Sequence, residues 1–333
     1  MSCLVDTDYL HITARIRSLE RSLLSNARRE HMLEARSDEE AQKVLQECGY
    51  GEISQSQQRD LERVLLIGYS RMLTSLEAAV PDRRLTDIFR LKYDYHNLKA
   101  ILKSDALSQN AEQLMIDLGR VPLKVLVNAL RLNDLKELPP VMRDAAEEAR
   151  GVLSHSGDPQ RSDVILDLAY FEEMRQIAAE SQSRFLQGYV TLHIDITNMR
   201  IIVRTSRIGL GADFLRTALI TGGKIDKGRL ISIAVSGAPL YEHFTESLLE
   251  GAAAAGTLVV RGEIPLSEFE RQADNTFVKY LKAAKFVAFG EQPLIAYIAA
   301  KENEIISIRT IMSGRKASIS NELIRERLRE AYV

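Results

Sequence analysis

The segment FRLKYDYHNLKAILK, Phe89 to Lys103, returns twice further along the chain in altered form. The second version is VTLHIDITNMRIIVR, Val190 to Arg204, and the third is IAYIAAKENEIISIR, Ile295 to Arg309. Aligned without gaps, all three place Asn at the ninth position (Asn97, Asn198, Asn303) and a basic residue at the fifteenth (Lys103, Arg204, Arg309). Asp94 and Asp195 share the sixth position, where the third version has Ala300. The Asn residues lie 101 and 105 positions apart. A solenoid unit spans roughly 20–50 residues, so a period near 100 points to domain-sized copies. The expectation is three related domains, at residues 1–106, 107–209 and 210–333.

Each version reads as a helix. Phe89, Tyr93, Asn97 and Ile101 are four apart and share one face, as do Val190, Ile194, Asn198 and Ile202. The Asn therefore sits among apolar side chains, where an unpaired amide costs about 1–3 kcal/mol. Two roles are open to it: a hydrogen bond inside the protein, or the fixing of register against a partner. The pairs Lys99/Lys103 and Arg200/Arg204, at spacing i, i+4 on another face, are candidates for solvated charge or for partner contact.

The rest of the chain follows the same style. Tyr9, Ile12, Ile16, Leu19 and Leu23 fall on one helical stripe. Ser37 and Glu40 have capping-box spacing, Ala41, Val44, Leu45 and Cys48 line a face, and Gly49 and Gly51 supply a stop. Further helices are expected from Gln57 to Ala79 and over Ala111–Leu118, Leu123–Leu138 and Met142–Leu153. Others are expected over Val164–Ala178, Asp213–Ile220, Lys227–Ser236, Leu240–Ala255, Ser267–Ala288 and Ser320–Ala331. Leu153 to Pro159 reads as a loop, and Thr257 to Val260 as a possible short strand. No segment sustains a period of two, so the fold class is all-α.

Composition narrows the function. The chain has 333 residues with a net charge of −2, which lacks the basic excess typical of nucleic-acid binders. No run approaches the ~20 apolar residues of a membrane span, and the amino terminus has no signal-peptide pattern. Cys3 and Cys48, without C-x-x-C spacing, suggest reduced thiols and no structural zinc. No GxxxxGK[ST] is present, since Gly222-Gly223-Lys224 lacks the earlier Gly and the hydroxyl residue. Gly209-Leu-Gly211 lacks the third Gly and a preceding strand. The adjacent acids Glu147/Glu148 and Glu172/Glu173 suit a solvated helix surface. These readings supply no catalytic, cofactor-binding or metal-binding residue.

Taken together, these segments resemble the C-type subunit of bacterial and archaeal V-type (A-type) rotary ATPases, the homologue of the eukaryotic d-type subunit. The resemblance is carried by YLHITARIRSLERSLLSNARREHMLEA, by the GYGE turn at Gly49 to Glu52, and by DYHNLKAILK and its second copy DITNMRIIVR. KENEIISIRTIMSGR and the ending AYV complete it. It implies three helical domains in a pseudo-threefold, funnel-like arrangement. It implies a non-catalytic rotor subunit, a monomer when isolated, without cofactor. It further implies a place on the cytoplasmic side of the membrane, between D/F-type central-stalk subunits and the membrane rotor ring. There it would couple ATP hydrolysis or synthesis to H⁺ or Na⁺ transport without entering the bilayer. Asp94, Asp195, Asn97, Asn198, Asn303, Lys99, Lys103, Arg200, Arg204 and Arg309 are the candidate repeat or interface positions. The third copy, with Glu304 and Ser307 at apolar positions, is expected to contact something different. A non-rotating helical adaptor and an all-α enzyme with dispersed acid–base residues are the competing readings of the same residues.

Overall fold

A computed structural model describes residues 4–51, 58–107 and 109–333, and Cys3, Glu52 and Gln57 lie outside these. The described residues are helical, with no strand among them. They form fifteen α-helices. In order these are α1 (Leu10–Glu20), α2 (Asn26–Glu34), α3 (Asp38–Glu47), α4 (Gln58–Glu77), α5 (Arg84–Ala106), α6 (Leu123–Leu132), α7 (Pro140–Ser156) and α8 (Pro159–Ser181). Then come α9 (Arg184–Ile208), α10 (Ala212–Ala218), α11 (Lys227–Ser236), α12 (Glu250–Val260), α13 (Leu266–Lys282), α14 (Glu291–Lys316) and α15 (Asn321–Arg327). The chain divides into two compact units, one of Met1–Arg83 with Gly237–Val333 and one of Arg84–Ser236.

In the Arg84–Ser236 unit, α7 and α8 form a hairpin against which α5 packs, and α9 packs on α8. The α7–α8 turn is only two residues long. Gly157 takes a left-handed conformation at φ +63°. Asp158 Oδ1 then accepts from the N–H groups of Gln160 and Arg161, both at 3.0 Å, and Pro159 occupies the first helical position. The loop expected over Leu153 to Pro159 is therefore mostly helix. Conversely, α6 stops at Leu132, where Asn133 turns left-handed at φ 54°, and does not continue to Leu138.

In the other unit, α14 is the central element, packed by α1, α2, α4, α13 and α15. Its burial continues around the whole cylinder, from Pro293 to Gly314. The amino-terminal stripe is helical in part: Ile12, Ile16 and the half-buried Leu19 lie on α1, whereas Tyr9 ends the 3-10 turn before it and Leu23 lies beyond its end. Tyr9, Ile12, Ile16 and Leu23 are buried, as are Ala41, Val44, Leu45 and Cys48. Ser37 Oγ accepts from Glu40 N at 3.3 Å. The Glu40 carboxylate accepts in return from Arg36 N at 2.7 Å, one residue before the expected Ser37. Thr257 to Val260 is the last turn of α12, not a strand. The expected helix from Leu240 is a 3-10 turn, Leu240–His243, separated from α12. Helix α13 gives way at Lys282 to another 3-10 turn, and α15 ends at Arg327.

Candidate functional site

The three versions of the repeat are parts of α5, α9 and α14, and their Asn residues perform one task. Asn97 Nδ2 donates to Ile116 O and Asn97 Oδ1 accepts from Ile116 N, both at 2.8 Å. Asn198 binds Ile220 in the same way, again with both bonds at 2.8 Å. Each amide thus satisfies both backbone polar groups of one residue in the loop that follows its helix. This explains why Ala111–Leu118 is not helical. A helix through Ile116 needs the N–H and C=O that Asn97 already holds. For the same reason Ile220 lies beyond the end of α10.

The Asp three residues earlier holds the next turn of the same loop. Asp94 Oδ1 accepts from Val121 N at 3.1 Å, and Asp195 Oδ1 accepts from Lys224 N at 2.8 Å. The loops match residue for residue, Ile116-Asp-Leu-Gly119-Arg-Val121 against Ile220-Thr-Gly-Gly223-Lys-Ile225. A Cβ at Gly119 would collide with Asp94 Oδ1, and one at Gly223 with Asp195 Oδ1. The glycines allow the carboxylate to approach the backbone. Gly222-Gly223-Lys224, with no phosphate-loop pattern, is thus one half of an internal clasp. The shared Ile-x-x-Gly-Arg/Lys string, 19 and 22 residues after the Asn, is the signal that sequence reading missed.

The third copy divides the same task between two side chains. Asn303 Nδ2 donates to Glu330 O at 3.0 Å, while Glu330 N donates to Asn275 Oδ1 at 2.7 Å. Asn303 Oδ1 is buried without a hydrogen-bond partner among the described residues.

The departures of the third copy are absorbed within its own unit. Glu304, at the position of Leu98 and Met199, is 3% exposed. It pairs with Lys301 at 2.5 Å and accepts from Tyr50 OH at 2.7 Å and from Leu24 N at 2.6 Å. Lys301 Nζ also donates to Cys48 O at 3.2 Å and lies over the Tyr50 ring. Burial first, and then Glu304, push the Cys48 thiol up to about 12 and the Tyr50 phenol well above its ordinary value. Glu304 thus ties α14 to the α1–α2 connection and the Gly49 turn.

The Arg84–Ser236 unit buries a second ionic group. Arg120 bridges Asp94 at 3.0 Å and Glu173 at 2.6 Å, and Tyr95 OH donates to Glu173 at 3.0 Å. Glu173 is therefore buried, contrary to the solvated surface expected of it; Glu172 is less buried and pairs with Arg175. Burial raises the Asp94 carboxyl despite Arg120. Burial also raises Asp195, to about 6, against the backbone N–H groups of Lys224 and Ile225. His193 is pushed down to about 4, first by burial and then by Arg200 and Lys92.

The basic candidates divide. Lys99 meets Asp167 and Lys103 meets Asp163, each at 2.6 Å, so the i, i+4 cations of α5 face i, i+4 acids of α8. Arg309 grips the Glu62 carboxylate of α4 with Nε at 2.9 Å and a terminal nitrogen at 2.7 Å. Arg204 is exposed and Arg200 half-buried on α9.

One groove stands out by charge. A cavity of about 540 Å³ in the unit containing α14 is lined by Arg15, Arg63, Arg71 and Lys301, with no carboxylate among its described lining residues. Leu19, Val64, Ile67 and Met72 lie between these cations. Arg15 is held by the carbonyl and hydroxyl of Ser75, while Arg63 and Arg71 are two turns apart on α4 and Arg71 is exposed. Such a groove suits an acidic, partly apolar protein surface.

Residues 12–327 match the ATP synthase (C/AC39) subunit family. The chain is 28% identical to the C-type subunit of the V-type sodium ATPase of Enterococcus hirae, over 98% of this chain and 99% of the relative. It is 26% identical to the C-type subunit of the A-type ATP synthase of Methanocaldococcus jannaschii, over 96% and 86%. Against the C-type subunit of the V-type ATP synthase of Thermus thermophilus it is 23% identical, over 91% and 93%. With nearly its whole length matched and its repeats in order, the chain belongs to the ATP synthase (C/AC39) subunit family.

Proposed function

We propose that this protein is the non-catalytic rotor coupler of a V-type ATPase, a socket between the central stalk and the membrane rotor ring. In this reading three related domains, residues 1–106, 107–209 and 210–333, form a pseudo-threefold funnel on the cytoplasmic side. D/F-type stalk subunits enter it, and the ring lies beneath. ATP hydrolysis or synthesis in the head is thereby linked to H⁺ or Na⁺ transport. Family membership supports the place in the complex.

The observation that carries the docking role is the groove of Arg15, Arg63 and Arg71, which offers cations and apolar contacts with no carboxylate among its described lining residues, while Lys301, which also lines it, is already paired with Glu304. Rigidity supports it as well. Moving one charge across 100 mV involves about 2.3 kcal/mol, so a coupler passing several ions per ATP transmits torque against roughly ten kcal/mol per step. Helices locked to their following loops by paired side-chain clasps are suited to that load. Among the described residues no helix is long and apolar enough to cross a membrane. In this reading the protein is held to the membrane sector through protein contacts.

Reconstitution tests the reading. A complex assembled without this protein should hydrolyse ATP in the head without ion transport, and adding the protein back should restore transport. The double reversal Arg63→Glu/Arg71→Glu should fold normally yet fail to restore it. Full ion transport by the complex lacking the protein would overturn the coupling role and leave a non-rotating adaptor. Normal transport with the double reversal would remove the groove from the interface.

A further inference from the structure

Arg29 of α2 is a buried arginine without an ion-pair partner among the described residues. It is 4% exposed, and among those residues no carboxylate lies within ion-pair distance of it. One terminal nitrogen donates to Arg329 O at 2.5 Å, and Nε has no partner among the described residues. Burial lowers the guanidinium to about 10, with Glu304 opposing from a distance. Glu304 is already taken by Lys301, Tyr50 and Leu24 N. A buried charge left in this state is strongly unfavourable unless something compensates it.

Arg29 borders a cavity of about 460 Å³ in the unit containing α14. Arg271, Lys282, Arg325 and Arg329 also line it, together with Glu30 and Glu330. Each of those four cations has its own carboxylate. Arg271 meets Glu268 at 2.6 Å, Lys282 meets Glu330 at 3.1 Å, Arg325 meets Glu30 at 2.7 Å and Arg329 meets Asp274 at 2.7 Å. The two lining acids are therefore neutralised in place, and the uncompensated charge at the cavity is that of Arg29. Asn26, the first residue of α2, lines the same space, so the positive end of that helix adds to the field.

We propose that this cavity binds a phosphate-class oxyanion whose charge is taken up by Arg29. Arg29 lines the cavity and its guanidinium is met by no carboxylate among the described residues, and a planar guanidinium suits a multidentate oxyanion better than a single-point halide. The site is separate from the groove at Arg63 and Arg71, and it stands whether or not that groove docks a partner.

The test uses the full chain in phosphate-free buffer at constant ionic strength, with inorganic phosphate as the probe and chloride as the control. Saturable binding by calorimetry is expected, with a rise in the thermal midpoint that chloride does not reproduce. Arg29→Met should weaken phosphate binding at least about tenfold. Without phosphate it should unfold no earlier than the parent, since an uncompensated charge is gone. Arg29→Lys should bind with intermediate affinity. Vesicles containing an anionic phospholipid form a second arm. Capture that free phosphate competes away, and that Arg29→Met abolishes, would assign the oxyanion to a lipid headgroup, and phosphate saturation without capture would assign it to the free ion. The absence of saturable phosphate binding by the parent protein would overturn the proposal without recourse to any variant. Undiminished binding by Arg29→Met would also overturn it.

Discussion

Asn198 holds both the N–H and the C=O of Ile220, each at 2.8 Å, across 22 residues of chain. Asn97 does the same for Ile116 across 19. Replacing either Asn with Ala leaves two backbone groups unpaired, at a cost of roughly 2–4 kcal/mol. Asn→Asp should cost at least as much, because a carboxylate cannot donate to the carbonyl. Asn303→Ala should cost about half, since Asn303 makes one of the two bonds and Asn275 the other. Urea unfolding of the three variants checks the ranking.

The glycines opposite the Asp residues give a second prediction. Gly119→Ala and Gly223→Ala place a methyl group against Asp94 Oδ1 and Asp195 Oδ1. Each should destabilise by about 1–3 kcal/mol through a forced shift of the clasp. Gly151→Ala, on α7 with open space at its Cβ, should be neutral or slightly stabilising. Thermal midpoints of the three proteins make the comparison.

Asp195 gives a pH signature. Its carboxyl is raised to about 6 from an ordinary 3.8, so between those values the folded protein binds more protons than the unfolded chain. Its contribution to stability is fully present below pH 4 and is lost as pH rises through about 6, amounting to about 3 kcal/mol. His193 acts in the opposite direction. It is lowered to about 4, so its contribution is present above the ordinary value of 6.5 and is lost as pH falls through about 4. The two slopes offset each other in the parent protein. Asp195→Asn, which keeps an oxygen to accept from Lys224 N, should expose the His193 slope. Relative to the parent, it should gain stability from about pH 4 to about pH 6 and level off above that. Chemical denaturation at several pH values measures the difference, and parallel curves would show that Asp195 titrates normally.

Much of this design was legible beforehand, and the unread part has a physical cause. The stripes of α1 and α3 are buried on one side, so periodicity finds them. The repeated Asn at the ninth position was equally visible, as was its place among apolar residues. What it binds was not visible, because a side chain capping a loop some twenty residues away leaves no period in the sequence. Glu173 was misplaced for a related reason. Its neighbour Glu172 does reach solvent, but adjacent helical residues point about 100° apart. Only the partner at Arg120 reveals which of the two turns inward.

The Lys301–Glu304 pair gives a fourth prediction. Removing one member, as in Glu304→Gln, leaves the buried Lys301 ammonium uncompensated and should cost about 3–5 kcal/mol. The double change Lys301→Met/Glu304→Leu restores at position 304 the residue type found at Leu98. It should recover most of that loss, less the bonds to Leu24 N and Tyr50 OH. A double-mutant cycle by denaturant unfolding separates the pair from its neighbours.

The clasps also determine where the chain tolerates extra length. Between the motif Asn and its clasped isoleucine the two copies differ by three residues, yet Ile116 and Ile220 start the same loop, and α6 and α11 follow it at the same distance. The clasp resets the register, so whatever is inserted ahead of it is not passed on. A tag or spacer placed near Glu112 should leave every residue from Ile116 onward in place, whereas one residue inserted between Ile116 and Val121 should dislodge the helix beyond.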